Sequence, residues 1–79
     1  MNIYLISQSI HNGWDTYDNA VVIAKSKREA RGIYPSENVK DWNGKDNSAW
    51  CNKNQVKVKL IGVSKLKTKQ IICASFNAA

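Results

Sequence analysis

The chain has 79 residues, 43% of them hydrophobic and 23% charged, with a net charge of +6. That is one domain, 1–79, of globular rather than disordered composition, and a domain this small buries only about 60% of its unfolded surface, which disfavours a deep enzyme pocket. No apolar run approaches the ~20 residues that span a bilayer, and the start MNIYLISQ lacks the basic and long apolar regions of a signal peptide, so the expected location is cytoplasmic.

Residues 3–8, IYLISQ, and 20–24, AVVIA, are β-prone and apolar and predict two strands of a hairpin. Between them lies NGWDTYDN, a polar stretch far longer than a tight turn needs. Ser26 followed by Glu29 is the capping-box pattern: Ser26 accepts from the Glu29 amide and Glu29 reaches back to the Ser26 amide. Ala30, Ile33 and Tyr34 then mark one face of a short helix that Pro35 ends, because the residue before proline avoids helical geometry.

Residues 36–55 form a long polar segment with a tight turn at Asn43-Gly44, flanked by Trp42 and Trp50. A segment of this length in a compact domain is functional or conceals a short element. VKVKLI, 56–61, alternates apolar and lysine, and QIICASF, 70–76, is the last strand. A turn near Leu66 would set Val56, Val58 and Leu60 opposite Phe76, Ala74 and Ile72, with all six facing the core. Cys73 would then lie on the outer face, well apart from Cys51, and no disulfide is expected. The expected fold is α+β: β-β-α-β-β, a mainly antiparallel four-stranded sheet with one short helix packed on one face.

Catalytic patterns are lacking. The single histidine, His11, stands beside the Asn12-Gly13 turn, and no nucleophile elbow, P-loop or dinucleotide fingerprint occurs. Asp15 and Asp18 with Asn12 and Asn19 lack the ordered spacing and terminal glutamate of a calcium loop, and such side chains more often bond their own backbone. No metal, no cofactor and no enzymatic activity are expected.

Three surfaces remain. Trp14, Asp15, Tyr17 and Asp18 in the first loop, with Trp42 and Trp50 in the second, have the aromatic-plus-polar composition of a protein-binding patch, or else the indoles form a satellite core. Lys25, Lys27 and Arg28 at the helix start would favour an anion such as a phosphorylated small molecule, or are simply solvated. Lys57, Lys59, Lys65, Lys67 and Lys69 on the last two strands and their turn suit a nucleic-acid backbone, or guard a strand edge. The open face of that pair offers Ile61, Ile71, Cys73 and Ser75 rather than stacking aromatics, which weakens the nucleic-acid reading.

At YLISQS, GWDTYDNAVVIAKS, ARGIYP and the terminal CASFNAA, the chain resembles a family of small uncharacterised phage and prophage proteins over nearly its whole length. The tyrosine-aspartate loop entering the AVV strand is the most specific part. The chain departs from the family in carrying Lys27 and Arg28 where similar sequences are acidic, and Ala79 where they end in glycine. The resemblance implies a phage setting rather than a mechanism. The expectation is a non-enzymatic accessory protein that binds a host protein, with an inhibitor of host defence of the anti-CRISPR kind as the concrete form. The alternatives are a basic nucleic-acid-binding module and a binder of a phosphorylated small molecule.

Overall fold

A computed structural model describes residues 1–36 and 42–77. Four strands and one α-helix follow one another as β1 (Asn2–Ser7), β2 (Thr16–Ala24), α1 (Lys27–Arg31), β3 (Lys57–Val63) and β4 (Gln70–Asn77), with a 3-10 turn at Lys53–Gln55 before β3. All strand pairings are antiparallel and the helix packs against β1, β2 and β3, so the fold is the expected α+β sheet with one covering helix.

The topology differs from the expected pair of hairpins. The strand order is β3-β1-β2-β4, so β3 and β4 lie on opposite edges and never meet. β3 pairs with β1, with Val58 opposite Ile6, and β4 pairs with β2, with Ala74 opposite Ala20. Of the six side chains expected to meet in the core, Val56 is buried and Val58 partly so, whereas Leu60, Ile72, Ala74 and Phe76 are exposed. The reason is competition for the central hairpin: β1 and β2 each have a second edge to fill, and filling both gives the β1–β2 pair complete ladders on both sides. The connection 64–69 therefore crosses the end of the sheet, where Ser64 exchanges backbone hydrogen bonds with Met1.

Both edge ladders slip by one residue near the middle of the sheet. β3 skips Ile61, between the Ile3–Gly62 and Tyr4–Leu60 pairs, and β4 skips Ile72, between the Val21–Cys73 and Val22–Ile71 pairs. Each is a β-bulge, which raises the local twist. A third irregularity, at Asp18 in β2, follows Tyr17, which packs against the core on the side of Ala20 and Val22.

One face of the sheet, with Tyr4, Ile6, Ala20, Val22 and Ala24, is covered by Ala30, Ile33, Tyr34, Trp50, Cys51 and Val56. The helix is shorter than expected. Ser26 accepts from the Glu29 amide at 3.2 Å, as its spacing predicts, but Glu29 reaches the amide of Lys25 at 3.1 Å rather than that of Ser26. Gly32 ends the helix before Pro35 can, and the amides of Gly32 and Ile33 close back on Glu29 and Ala30. Ile33 and Tyr34 are buried as expected, but they reach the core from an irregular segment beyond the helix.

Candidate functional site

The first connection is shorter than it reads, because Thr16, Tyr17, Asp18 and Asn19 belong to β2. Their polar side chains disguise a strand whose outer partners come from the far end of the chain: Thr16 pairs with Asn77 and Tyr17 with Phe76. The connection proper is organised by Gln8. Its Oε1 accepts from the amides of Ile10 and His11 at 3.2 and 2.9 Å, and its Nε2 donates to the carbonyls of His11 and Tyr17, both at 2.8 Å. Gln8 is buried, and these four bonds satisfy its amide.

The turn itself is held on both sides of Trp14. Thr16 Oγ1 donates to the Gly13 carbonyl at 2.8 Å, and the Asp15 amide donates to the Asn77 carbonyl. Asp15 adopts the left-handed backbone region at φ 59°, which aspartate tolerates better than most residues. Asn77 Nδ2 also donates to Asp18 Oδ1 at 2.8 Å, tying the end of β4 to the start of β2. Between these anchors the Trp14 indole is 75% exposed, beside a shallow depression lined by Asn12, Gly13 and Asn77.

The other expected aromatics have different fates. Trp50 is fully buried in the core and is not an accessible contact; its Nε1 finds no acceptor. Trp42 is half-buried, stacks edge-on to Tyr34 at 5.6 Å and donates Nε1 to the Lys45 carbonyl at 3.0 Å. Tyr17 lies 6.2 Å from Tyr34 and 4.6 Å from Phe76. A continuous row Phe76–Tyr17–Tyr34–Trp42 therefore links the two loops, and Trp14 stands outside it. Trp50 thus belongs to the main core with Trp42 packed against it, whereas Trp14 is exposed.

The second loop is fastened by Asn47. Its Oδ1 accepts from the amides of Ala49 and Trp50 at 2.8 and 3.0 Å and from the Tyr34 hydroxyl at 3.2 Å. The Tyr17 amide then donates to the Ala49 carbonyl at 3.0 Å, and His11 Nε2 lies 2.9 Å from Asp46 Oδ2, joining loop to loop. Asn43-Gly44 is the turn its sequence predicts: Gly44 has φ 80°, and a Cβ there would sit 2.7 Å from the Lys53 side chain. Residues 37–41 of the polar segment, and Ala79, lie outside the described residues.

Burial pushes the Cys51 thiol up, with the Asp46 carboxylate acting in the same direction, and the bonded backbone only partly offsets them, which opposes thiolate formation. Cys51 and Cys73 are both free, the first buried and the second exposed. Among the described residues no group of three or more His, Cys, Asp or Glu could hold a metal, and no helix is long and apolar enough to cross a membrane.

Lys25, Lys27 and Arg28 are exposed around a helix of five residues. Ser26 occupies the Glu29 amide and the Glu29 carboxylate sits on the Lys25 amide, so two of the backbone amides there are already engaged. The five lysines expected on the last two strands and their turn are all exposed, but not along one hairpin. Lys57 and Lys59 lie on the β3 edge, and Lys65, Lys67 and Lys69 lie on the crossing connection. Residues 1–46 carry six cationic and six acidic side chains, while 47–79 carry six lysines and no acid, so the whole net charge belongs to the second half of the chain.

Gln8, Asn47 and Asn77 are site-building residues that the sequence does not flag, since single amides carry no pattern. No protein-family model, curated protein or solved structure matches the chain.

Proposed function

We propose that the protein is a non-enzymatic binding protein that engages a partner protein through Trp14. The observation that carries this reading is an indole 75% exposed on a turn whose neighbours on both sides are hydrogen-bonded in place. An exposed indole on a fixed backbone loses little freedom on binding, and tryptophan is the residue type most enriched at energetic centres of interfaces. Asp15 beside it, and Ile10 at 49% exposure on the same connection, give the patch a polar and an apolar flank. The resemblance to phage proteins supports a phage-encoded accessory setting, in which the partner is a bacterial host protein and inhibition of host defence is the concrete role.

The test is affinity capture from bacterial lysate with the wild-type chain, Trp14→Ala, and a chain with Lys57, Lys59, Lys65, Lys67 and Lys69 replaced by serine. A stoichiometric partner held by the wild type and the lysine variant but lost by Trp14→Ala supports the reading. Equal capture by Trp14→Ala overturns it. A second reading, nucleic-acid binding, is favoured by the confinement of the net charge to the second half of the chain. It requires a shift of DNA or RNA that weakens steeply with salt and disappears in the lysine variant.

A further inference from the structure

The strand pairings gather two basic clusters that are remote from each other in the chain. Ala24, at the end of β2, and Val63, at the end of β3, both pair with Asn2. They stand one strand away on either side of it, roughly 10 Å from each other at ~4.8 Å per strand. Gln70, the first residue of β4, pairs with Ile23 at the same end of the sheet. Lys25, Lys27 and Arg28 follow Ala24, and Lys65, Lys67 and Lys69 occupy the connection from Val63 to Gln70. All six are exposed. The one carboxylate that these segments bring with them is that of Glu29, held on the Lys25 amide. At the opposite end, around the start of β3 and the Trp14 turn, Asp15, Asp18 and Asp46 balance Lys45, Lys53 and Lys57.

The cationic end is also apolar. Val63 is 77% exposed, and Leu66, between Lys65 and Lys67, is 48% exposed. Leu60 and Ile61 continue the patch along β3, so four of the eight exposed large apolar side chains described fall within residues 60–66. We propose that this end of the sheet docks on an anionic lipid bilayer, with Val63 and Leu66 in the boundary between headgroups and acyl chains and the six cations among the lipid phosphates.

Charge and apolarity together select this occupant. Stable attachment to a membrane surface takes two signals, and an apolar patch set among lysines supplies both: insertion of the aliphatic side chains and attraction to acidic headgroups. A nucleic-acid backbone would use the lysines but leave Val63 and Leu66 in water. Neither basic segment carries an aromatic side chain on which a base could stack. Attachment of this kind lies on the bilayer and needs no spanning segment. It also turns the Trp14 end of the sheet away from the lipid, so the two surfaces can be occupied together.

Co-sedimentation with vesicles tests this, using phosphatidylglycerol mixed with phosphatidylcholine and phosphatidylcholine alone. The wild type should bind the anionic vesicles, release them as salt rises, and leave the neutral ones alone. Replacing Lys65, Lys67 and Lys69 by serine should weaken binding about a hundredfold, at about fivefold per lysine. Val63→Ser with Leu66→Ser should weaken it about tenfold or more with the charge unchanged. All five positions are exposed, so circular dichroism melts of these variants should match wild type. Trp14→Ala should bind vesicles as the wild type does, so failure of the Trp14 reading and failure of this one are separate results. A wild type that ignores anionic vesicles at low salt overturns the proposal. So does a Val63, Leu66 variant that binds them as tightly as wild type; a DNA or RNA shift by the wild type without vesicle binding would assign the cations to nucleic acid instead.

Discussion

Gln8 Nε2 donates to the Tyr17 carbonyl at 2.8 Å, closing the base of the connection that carries Trp14. The same side chain accepts from Ile10 and His11, so one buried amide holds two strands and the loop between them. Gln8→Ala should cost about 2–3 kcal/mol, since several backbone groups lose their partner at once. Denaturant unfolding reads the loss, and hydrogen exchange at the Ile10 and His11 amides should rise well before global unfolding. Unchanged exchange there would show that the loop does not depend on Gln8.

Trp50 and Trp14 should separate stability from recognition. Trp50→Ala should cost about 3–5 kcal/mol through lost burial and the cavity it leaves. Trp50→Phe should cost less, because it also removes an indole N–H that has no acceptor. Trp14→Ala should change stability by less than about 0.5 kcal/mol. Three thermal melts decide the order, and a Trp14 variant as damaged as Trp50→Ala would contradict the exposed placement.

The helix start makes a graded series. Ser26→Ala removes the acceptor of the Glu29 amide and should cost ~0.5–2 kcal/mol. Ala30→Asp should cost more, as it places a carboxylate among Tyr4, Val22 and Ala24 in the core. Lys27→Ala, on the solvent side, should change little. Melting temperatures falling in the order Lys27, Ser26, Ala30 are expected; a Lys27 variant as unstable as the Ala30 variant would reverse the helix face.

The two thiols should behave oppositely. Cys73 should react with an aromatic disulfide reagent in the folded state, and Cys51 only on unfolding. Because burial raises the folded Cys51 thiol above its ordinary value of 9.0, its neutral form is the one the fold favours. That stabilisation is complete below the ordinary value and is lost as pH climbs from there through the folded value. Compared with wild type, Cys51→Ala should therefore show a shallower fall in stability above about pH 9; parallel pH profiles for the two chains would contradict it.

The local elements were legible in the sequence, and the long-range ones were not. Ser26 and Glu29 lie three residues apart, and their spacing alone specifies a cap. Val56 and Val58 announce an inward face by alternation, but alternation names no partner: β3 fits beside β4 or beside β1 equally well until the free edges of the β1–β2 hairpin are counted. Thr16 and Asp18 read as loop because their polar side chains suit one, and they are strand because Asn77 comes back to bond them. Trp14 and Trp50 share polar neighbours in the chain. Long-range packing separates them: Asn47 ties the Trp50 backbone to Tyr34 beside the core, whereas Trp14 stays exposed.

The strand order also dictates how the molecule assembles. The hairpin β1–β2 is the one pairing between strands close in the chain, and both outer strands must travel to opposite sides of it. A ribosome delivers the central hairpin first, with Tyr4, Ile6, Ala20 and Val22 uncovered until Trp50 and Val56 emerge. A lone hairpin is marginal in water, so productive folding waits for the second half of the chain and is governed by slow loop closure rather than by the fast local turn. Because the net charge lies wholly in that second half, the waiting hairpin has no net charge to keep it dispersed, and the lysines arrive together with the residues that cover it.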